Sequence, residues 1–465
     1  MYMEKFVFHN KVNAKADVKL NNLTACNLWK NFCAYGSEIS FEVGEDNTFV
    51  IGNAAIPVVS EEEDYAINVT KDGVAIKANN YQGLMRGFTH LLRKIEFVSL
   101  EDGEETLSIE AFTENKEYSL KRRMIHFCVF PETKIEYIKR EIRFAGLLHF
   151  THVCLEFWGM FKYDCLKELS WPNAYTKEQI KEIVKEIKEL GMEPIPFFNH
   201  LGHASLSKSF NGKHVVLSQN PKLQTLFLGG DGWEWNIFSD KTKELLRNIR
   251  KETLEVFGEG EYFHVGCDEA YMILNKDELK PGMADYVREV TNQVEKEGRT
   301  PLVWADMYIS QEEISKLPAK DETSMYYAPM KNKEQTDFQL ASLSPKSILI
   351  DWQYGVTEAP FRSFITLRDK GFKVMASPHK GEENGMAALK TVTEYGGYGL
   401  MCTTWGCTMK DYDGAFRSIL TVAKEFGAPQ FDWSPYVDFR TEIGTLFRKA
   451  TYEDLDYNEI GINNM

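Results

Sequence analysis

The chain is short of four things, and each shortage excludes something. It has no long apolar run: 43% of its 465 residues are hydrophobic and 26% charged, an ordinary globular balance, and no stretch approaches the roughly 20 apolar residues of a membrane span. Residues 1–10 hold no apolar core of signal-peptide length. Positive charge is also scarce, with 54 Lys and Arg against 69 Asp and Glu, a net charge of −15. That excess argues against nucleic acid or an anionic membrane as the main partner. The 8 cysteines are scattered, several of them inside apolar stretches, without the paired spacing of a secreted disulfide framework. They read as reduced thiols in a cytoplasmic protein. Finally, no Gly-x-Gly-x-x-Gly follows the first apolar strand of the main region, so a dinucleotide fingerprint is missing.

What is present divides the chain in three. Residues 1–117 read as a small α/β domain. Thr48-Phe49-Val50-Ile51 and Tyr65-Ala66-Ile67-Asn68-Val69 are strand-like, and Lys71-Asp72-Gly73 turns the second into Gly73–Ala78. A helix is expected from Tyr81 to Ile95, with Leu84, Phe88, Leu91 and Leu92 on its apolar face. Residues 118–433 change texture to apolar strands alternating with helices, which predicts a parallel sheet. The strands are expected at Met124–Phe130, His152–Phe157, Pro194–Asn199, Tyr262–Gly266, Leu302–Asp306, Ile348–Trp352, Lys373–Ser377 and Gly399–Thr404. Between the second and third, Thr176 and Gln179 form a capping box, Ile180, Ile183, Val184 and Ile187 an inner stripe, and Gly191 a stop. Eight such units over about 300 residues fit a (β/α)8 TIM barrel, with a doubly wound open sheet as the alternative. Residues 434–465 form a partly helical tail packed on the barrel.

Barrel enzymes place their chemistry at the C-terminal ends of the strands. Here those ends read Glu156-Phe157-Trp158, Asn199-His200-Leu201-Gly202-His203, Asp268-Glu269, Trp304 with Asp306, Asp351-Trp352-Gln353-Tyr354, Ser377-Pro378-His379 and Trp405-Gly406-Cys407. Three Trp converging on one barrel end make an aromatic box suited to the apolar face of a sugar and a small acyl group. The long connection Ser207–Ser239, with Trp233 and Trp235, reads as one wall of the site. Asp268-Glu269 ends a buried strand, where two carboxylates are costly unless hydrogen-bonded or used. Adjacent residues cannot face each other across a sugar ring as the usual glycosidase pair does. They can divide the work, one donating a proton and the other orienting a nucleophile that belongs to the substrate. Crowding in a dry pocket pushes one carboxyl of such a group upward.

His264-Val265-Gly266-Cys267-Asp268-Glu269 resembles the His-x-Gly-Gly-Asp-Glu signature of glycoside hydrolase family 20, the β-N-acetylhexosaminidases, with Cys267 in place of the second Gly. The resemblance covers most of the chain, including the strand-and-helix domain before the barrel. It implies a retaining exo-hydrolase of terminal β-linked GlcNAc or GalNAc, needing no cofactor or metal and acting on an N-acetylated amino-sugar glycan. It assigns catalysis to Asp268, Glu269 and His203, the last from Gly202-His203-Ala204, backed by Glu156. It assigns sugar binding to Arg123 (Arg122 being the alternative register), Trp304, Asp306, Trp352 and Trp405, with Tyr354 substituting for a tyrosine that holds the acetamide. Two departures bear on which sugar is bound: Cys407 stands where the family carries an acid, and Phe127 or Cys128 where it carries an Asp. Two other readings remain at this level. One is a metal-dependent hydrolase drawing on His126, Cys128, His200, His203, His264, Cys267, His379 and Cys407. The other is a sugar-binding barrel without activity, against which the presence of both Asp268 and Glu269 argues.

Overall fold

A computed structural model describes residues 4–8, 13–17, 23–33, 40–44, 46–99, 105–205, 220–314, 327–405 and 412–451. Eight strands close into a parallel barrel. They are β1 (Arg123–Cys128), β2 (His152–Glu156), β3 (Glu193–Phe197), β4 (Tyr262–Gly266), β5 (Thr300–Trp304), β6 (Ile348–Trp352), β7 (Lys373–Ser377) and β8 (Gly399–Thr404). β8 pairs back onto β1, with Met124 opposite Met401. The expected strands all form, and the open-sheet alternative falls.

Alternation along each strand sorts the core into two layers. Met124, Cys154, Ile195, Tyr262, Leu302, Ile348, Met375 and Met401 point inward and fill the barrel. Their sequence neighbours, such as Ile125, Val153, Phe263, Val303 and Leu349, point outward under the helices. Each side chain of this size taken fully from water contributes about 1.5–3 kcal/mol. The helix Lys177–Glu189 shows how local signals meet this packing. Thr176 caps it reciprocally with Gln179, and Ile180, Ile183, Val184 and Ile187 are buried.

The N-terminal domain is larger than its clearest signals suggest. Thr48–Gly52, Tyr65–Thr70 and Gly73–Ala78 belong to a six-stranded sheet completed by Asn13–Asp17, Ser40–Gly44 and Phe112–Lys116. A second sheet of three strands joins Lys5–Val7, Glu105–Glu110 and Glu96–Ser99. The helix Tyr81–Leu92 starts at Asn80, whose side chain accepts from the Gly83 N–H, and buries Leu84, Phe88, Leu91 and Leu92. Its other side meets the barrel, where Thr89 Oγ1 lies 2.9 Å from His149 Nε2. After the barrel, the helix Phe439–Lys449 lays Phe447 on Phe144 with ring centroids 4.6 Å apart. No helix among the described residues is long and apolar enough to cross a membrane.

Candidate active site

The site is organised by the turn that ends β4. Consecutive strand residues point to opposite faces, so Asp268 and Glu269 cannot share a partner while the chain stays extended. The backbone solves this by leaving the strand. Gly266, Cys267 and Glu269 have φ of +67°, +69° and +47°, and the pairing of β4 with β5 shifts register between His264 and Gly266. Both carboxylates then reach one imidazole: Nε2 of His203 lies 3.1 Å from Asp268 Oδ2 and 3.1 Å from Glu269 Oε2. Cys267 stands in a left-handed conformation that favours glycine, which gives a physical reason for the Gly-Gly of the signature. The chain tolerates the thiol there, fully buried.

Two further elements fix the carboxylates. Asn199, just past β3, donates from Nδ2 to Asp268 Oδ1. Its Oδ1 accepts from the Cys267 and Leu201 amides at 3.1 and 3.2 Å. This clamp needs a bare Cα at Gly266, where a Cβ would stand 2.5 Å from Asn199 Cγ. Asp306, just past β5, accepts the Glu269 amide at 2.9 Å and the Trp352 indole N–H at 3.4 Å. Burial, followed by the neighbouring charge of Asp268, holds the Asp306 carboxyl well above the usual carboxylate range. The two catalytic candidates differ in access. The Glu269 side chain is 21% exposed and that of Asp268 only 4%.

Above them opens a cavity of about 270 Å³ lined by His203, Asp268, Glu269, Trp352, Tyr354 and Trp405. That lies just below the roughly 300 Å³ floor for drug-sized pockets and suits one sugar ring. Trp405 donates its indole N–H to the Tyr354 hydroxyl oxygen, and Thr403 Oγ1, whose own proton goes to the Pro378 carbonyl at 2.8 Å, lies 3.4 Å from the same hydroxyl. The phenolic proton is directed at that Thr403 oxygen across a long contact, which a better acceptor on a ligand would displace. Burial raises the Tyr354 pKa and keeps that proton in place. Trp233 forms a flank, its indole N–H 2.8 Å from the Glu269 carbonyl and its ring 4.4 Å from His203. Burial, and after it the neighbouring Glu269 carboxylate, raises the Tyr271 pKa, and Tyr327 stacks on Trp352 at 4.9 Å. A larger groove of about 770 Å³ is lined by residues such as Glu358, Lys390 and Glu425 and includes none of these groups.

Several assignments need correction. Arg123 opens β1, so it lies at the opposite end of the barrel, about 16 Å of strand from Cys128. Its guanidinium donates to the His149 and Leu120 carbonyls at 2.9 and 2.6 Å and lies over the Tyr118 ring. Arg122 is no better placed, bonding the Tyr262 hydroxyl at 2.9 Å. A basic pair before an apolar strand stands at the strand's N-terminus, whereas the site forms at the C-termini. Glu156 does not back His203; it faces His126 Nε2 at 3.3 Å and Cys128 at 3.6 Å. Trp304 is fully buried beneath the cavity, 4.5 Å from His264 and 5.5 Å from Trp405 by ring centroids, so it supports Trp405 and lines nothing. Asp306 likewise orients Glu269 and Trp352 from behind. His200 and His203 do not converge on a metal. His200 faces the Phe198 carbonyl and Arg250 Nη1 at 2.7 and 3.3 Å, and burial beside that cation lowers its pKa to about 3. Cys407 and residues 206–219 of the long connection lie outside the described residues.

Sequence reading passed over Asn199, Tyr271 and Tyr327 as site groups, whereas Trp233 stands beside His203 in the wall expected of the long connection. Asn199 stood among the strand-end residues, but its role depends on a close approach to Gly266 that no local pattern announces.

Residues 154–413 match glycosyl hydrolase family 20, catalytic domain, and the chain belongs to that family; it is a glycoside hydrolase. Its fold is that of solved members of the family. A chitobiase of Flavobacterium johnsoniae is 14% identical with a TM-score of 0.66, over 99% of this chain and 71% of that one. A family 20 β-N-acetylhexosaminidase of Streptomyces coelicolor is 15% identical with a TM-score of 0.64, over 99% and 94%. A Streptomyces plicatus β-hexosaminidase mutant solved in complex with its product GlcNAc is 14% identical with a TM-score of 0.59, over 99% and 93%. No curated protein matches the chain in sequence.

Two expected results follow from this geometry. A Cβ at Gly202 would stand 2.3 Å from the Asp268 carbonyl oxygen and 3.1 Å from the Glu269 carbonyl. These are backbone atoms that cannot swing aside. Gly202→Ala therefore moves both carboxylates and lowers kcat on the order of 10²-fold, measured alongside a melting curve that shows the fold retained.

The second concerns Glu234, on the hairpin that carries Trp233. It is buried, accepts the Met272 amide through Oε1, and its Oε2 has no partner among the described residues. Burial raises its pKa to about 7. The folded state thus keeps a proton that the unfolded chain has lost, and this group's contribution to stability falls as pH rises from about 4.5 to 7. Glu234→Gln should melt several degrees higher than the parent near about pH 8 and equally near about pH 4. The same gain at both values would exclude titration of Glu234 as the cause.

Proposed function

We propose that the chain is a retaining exo-β-N-acetylhexosaminidase that releases terminal β-linked GlcNAc or GalNAc by substrate-assisted catalysis. The observation that carries this reading is the approach of Asp268 and Glu269 to one imidazole, 3.1 Å each, beneath a cavity walled by Trp352, Tyr354 and Trp405. Two carboxylates this close and on one side do not suit attack from opposite faces of a ring. They suit a nucleophile supplied by the sugar.

The substrate's acetamido oxygen attacks the anomeric carbon as the glycosidic bond breaks, and Glu269, the more exposed of the pair, gives its proton to the departing oxygen. A bicyclic oxazolinium ion results. The recessed Asp268 carboxylate accepts the acetamido N–H and offsets the positive charge that grows there. The Tyr354 hydroxyl gives a hydrogen bond to the acetamide oxygen while keeping its proton, and the Trp walls hold the group under the ring. In the second half, Glu269 takes a proton from water, whose oxygen opens the oxazolinium and restores the β configuration. The natural partner is an N-acetylated amino-sugar glycan, and a cytoplasmic location, inferred from the scattered cysteines, belongs to the same reading.

The test is a panel of aryl β-glycosides, gluco and galacto, with and without the 2-acetamido group. Hydrolysis is expected only where that group is present. Comparable cleavage of a plain β-glucoside would remove the substrate from the nucleophile's role.

A further inference from the structure

Just below Trp405 the barrel interior holds three metal-ligating side chains that the hydrolase mechanism leaves unused. His126 and Cys128 are two apart on β1, so both point inward. Glu156 stands opposite Cys128 in the β1–β2 register. All three are buried. His126 Nε2 is 3.3 Å from Glu156 Oε2 and 3.7 Å from Cys128 Sγ, and that Sγ is 3.6 Å from the same oxygen. One nitrogen, one sulfur and one oxygen thus mark the corners of a small triangle, within mutual reach of a single ion.

The size of the triangle is informative. Zinc bonds of roughly 2.0–2.1 Å to nitrogen, 2.0–2.2 Å to oxygen and 2.3 Å to sulfur, at tetrahedral angles, separate the donor atoms by roughly 3.3–3.6 Å. The observed edges are of that length without any movement of the strands. Hydrogen bonds alone would account for the same edges, with the thiol and the imidazole N–H both directed at Oε2. They would leave Glu156 Oε1 unanswered among the described residues, whereas His126 Nδ1 lacks a partner there in either arrangement and does not separate the two. A buried carboxylate with one oxygen idle is costly, and a cation held through both oxygens removes that cost. Charge points the same way. A divalent ion with one thiolate, one carboxylate and one neutral imidazole sums to zero, the balance a dry interior favours.

We propose that His126 Nε2, Cys128 Sγ and Glu156 bind one divalent cation of the zinc class. Binding releases the Cys128 thiol proton to solvent, and His126 keeps its own proton on Nδ1. Three protein ligands leave a fourth position for water. The ion is separate from the His203, Asp268 and Glu269 constellation. It ties β1 to β2 behind Trp405, whose ring is 4.8 Å from that of His126, and so stiffens the floor of the sugar cavity.

The experiment measures metal by mass spectrometry in the full chain purified without chelator and in the same chain refolded with zinc. About one zinc per chain is expected, and refolding with cobalt should give a thiolate-to-cobalt charge-transfer absorption. Cys128→Ser and Glu156→Gln should each fall below about a tenth of an equivalent, while Cys402→Ser, on the outer face of β8, keeps the metal. Zinc-refolded wild type holding less than about a tenth of an equivalent, or metal persisting in Cys128→Ser, overturns the proposal. Should both ligand variants fail to fold, the cobalt absorption of the wild type decides, and its absence is a refutation. A zinc-refolded wild type that takes up no metal yet hydrolyses 2-acetamido glycosides would end this proposal and leave the hydrolase reading standing.

Discussion

Glu269→Gln lowers turnover by at least about a hundredfold on glycosides with poor leaving groups, the scale of a lost general acid. On aryl glycosides whose phenolate departs unaided, the first step should lose much less. The expectation rests on access as well as identity. Both carboxylates line the cavity, but Glu269 is the more accessible, its side chain 21% exposed against 4% for Asp268, and its amide is pinned by Asp306 at 2.9 Å. Glutamine keeps the shape and the neighbours while removing the transferable proton. The measurement is kcat/KM on an aryl and an alkyl or oligosaccharide substrate, for parent and variant. Equal losses on the two would take the acid role away from Glu269.

The barrel was legible because each strand is an apolar run whose alternate residues serve the interior and the helix layer. Met124 and Ile125 are both apolar yet belong to different layers, so a continuous run at strand length is the signature of a doubly covered sheet. The carboxylates and His203 were legible because strand ends are where polar residues interrupt such runs. The N-terminal domain was half legible. The hairpin Tyr65–Ala78 carries a turn signal, while Asn13–Asp17 and Ser40–Gly44 pair with each other in parallel, and such a pairing leaves no mark in local sequence.

The errors came from direction and depth. Arg123 has the right chemistry for a sugar hydroxyl but opens its strand instead of ending it. Trp304 and Trp405 look alike in sequence, two inward residues at strand ends. One is fully buried against His264 and the other reaches the cavity. What separates them is that Trp405 lies one residue beyond β8, where the chain has begun to leave the barrel, whereas Trp304 is the last residue within β5. Asp306 shows a third kind of limit. Its carboxylate is spent on the Glu269 amide and the Trp352 indole, a supporting role that depends on the left-handed turn at Glu269. No residue of that turn except Gly266 advertises a positive φ.

Asp268→Asn is expected to cost 10²–10³-fold in kcat on 2-acetamido substrates, the range for removing one preorganised electrostatic group. Two effects add. The carboxylate that offsets the oxazolinium charge in the proposed mechanism is gone. The replacement is also wrongly polarised for its surroundings, because Asp268 accepts from Asn199 Nδ2 on one oxygen and faces His203 Nε2 at 3.1 Å on the other. An asparagine can turn an oxygen to only one of them and must point its NH2 at the other. A merely structural fault would lower activity too, so a second readout is needed, and Asp306 provides it. Its carboxyl is held high first by burial and then by the charge of Asp268. While that pKa is raised, the folded state retains a proton that the unfolded chain gives up, and stability falls as pH rises above the unfolded value near about 4. Taking away the Asp268 charge lowers the Asp306 pKa and flattens that fall. The variant should therefore lose less stability than the parent between about pH 4 and 7, followed by melting curves across that range. A kcat within about tenfold of the parent, 1.4 kcal/mol in barrier, would exclude Asp268 from the transition state, and an unchanged pH slope would separate its charge from Asp306.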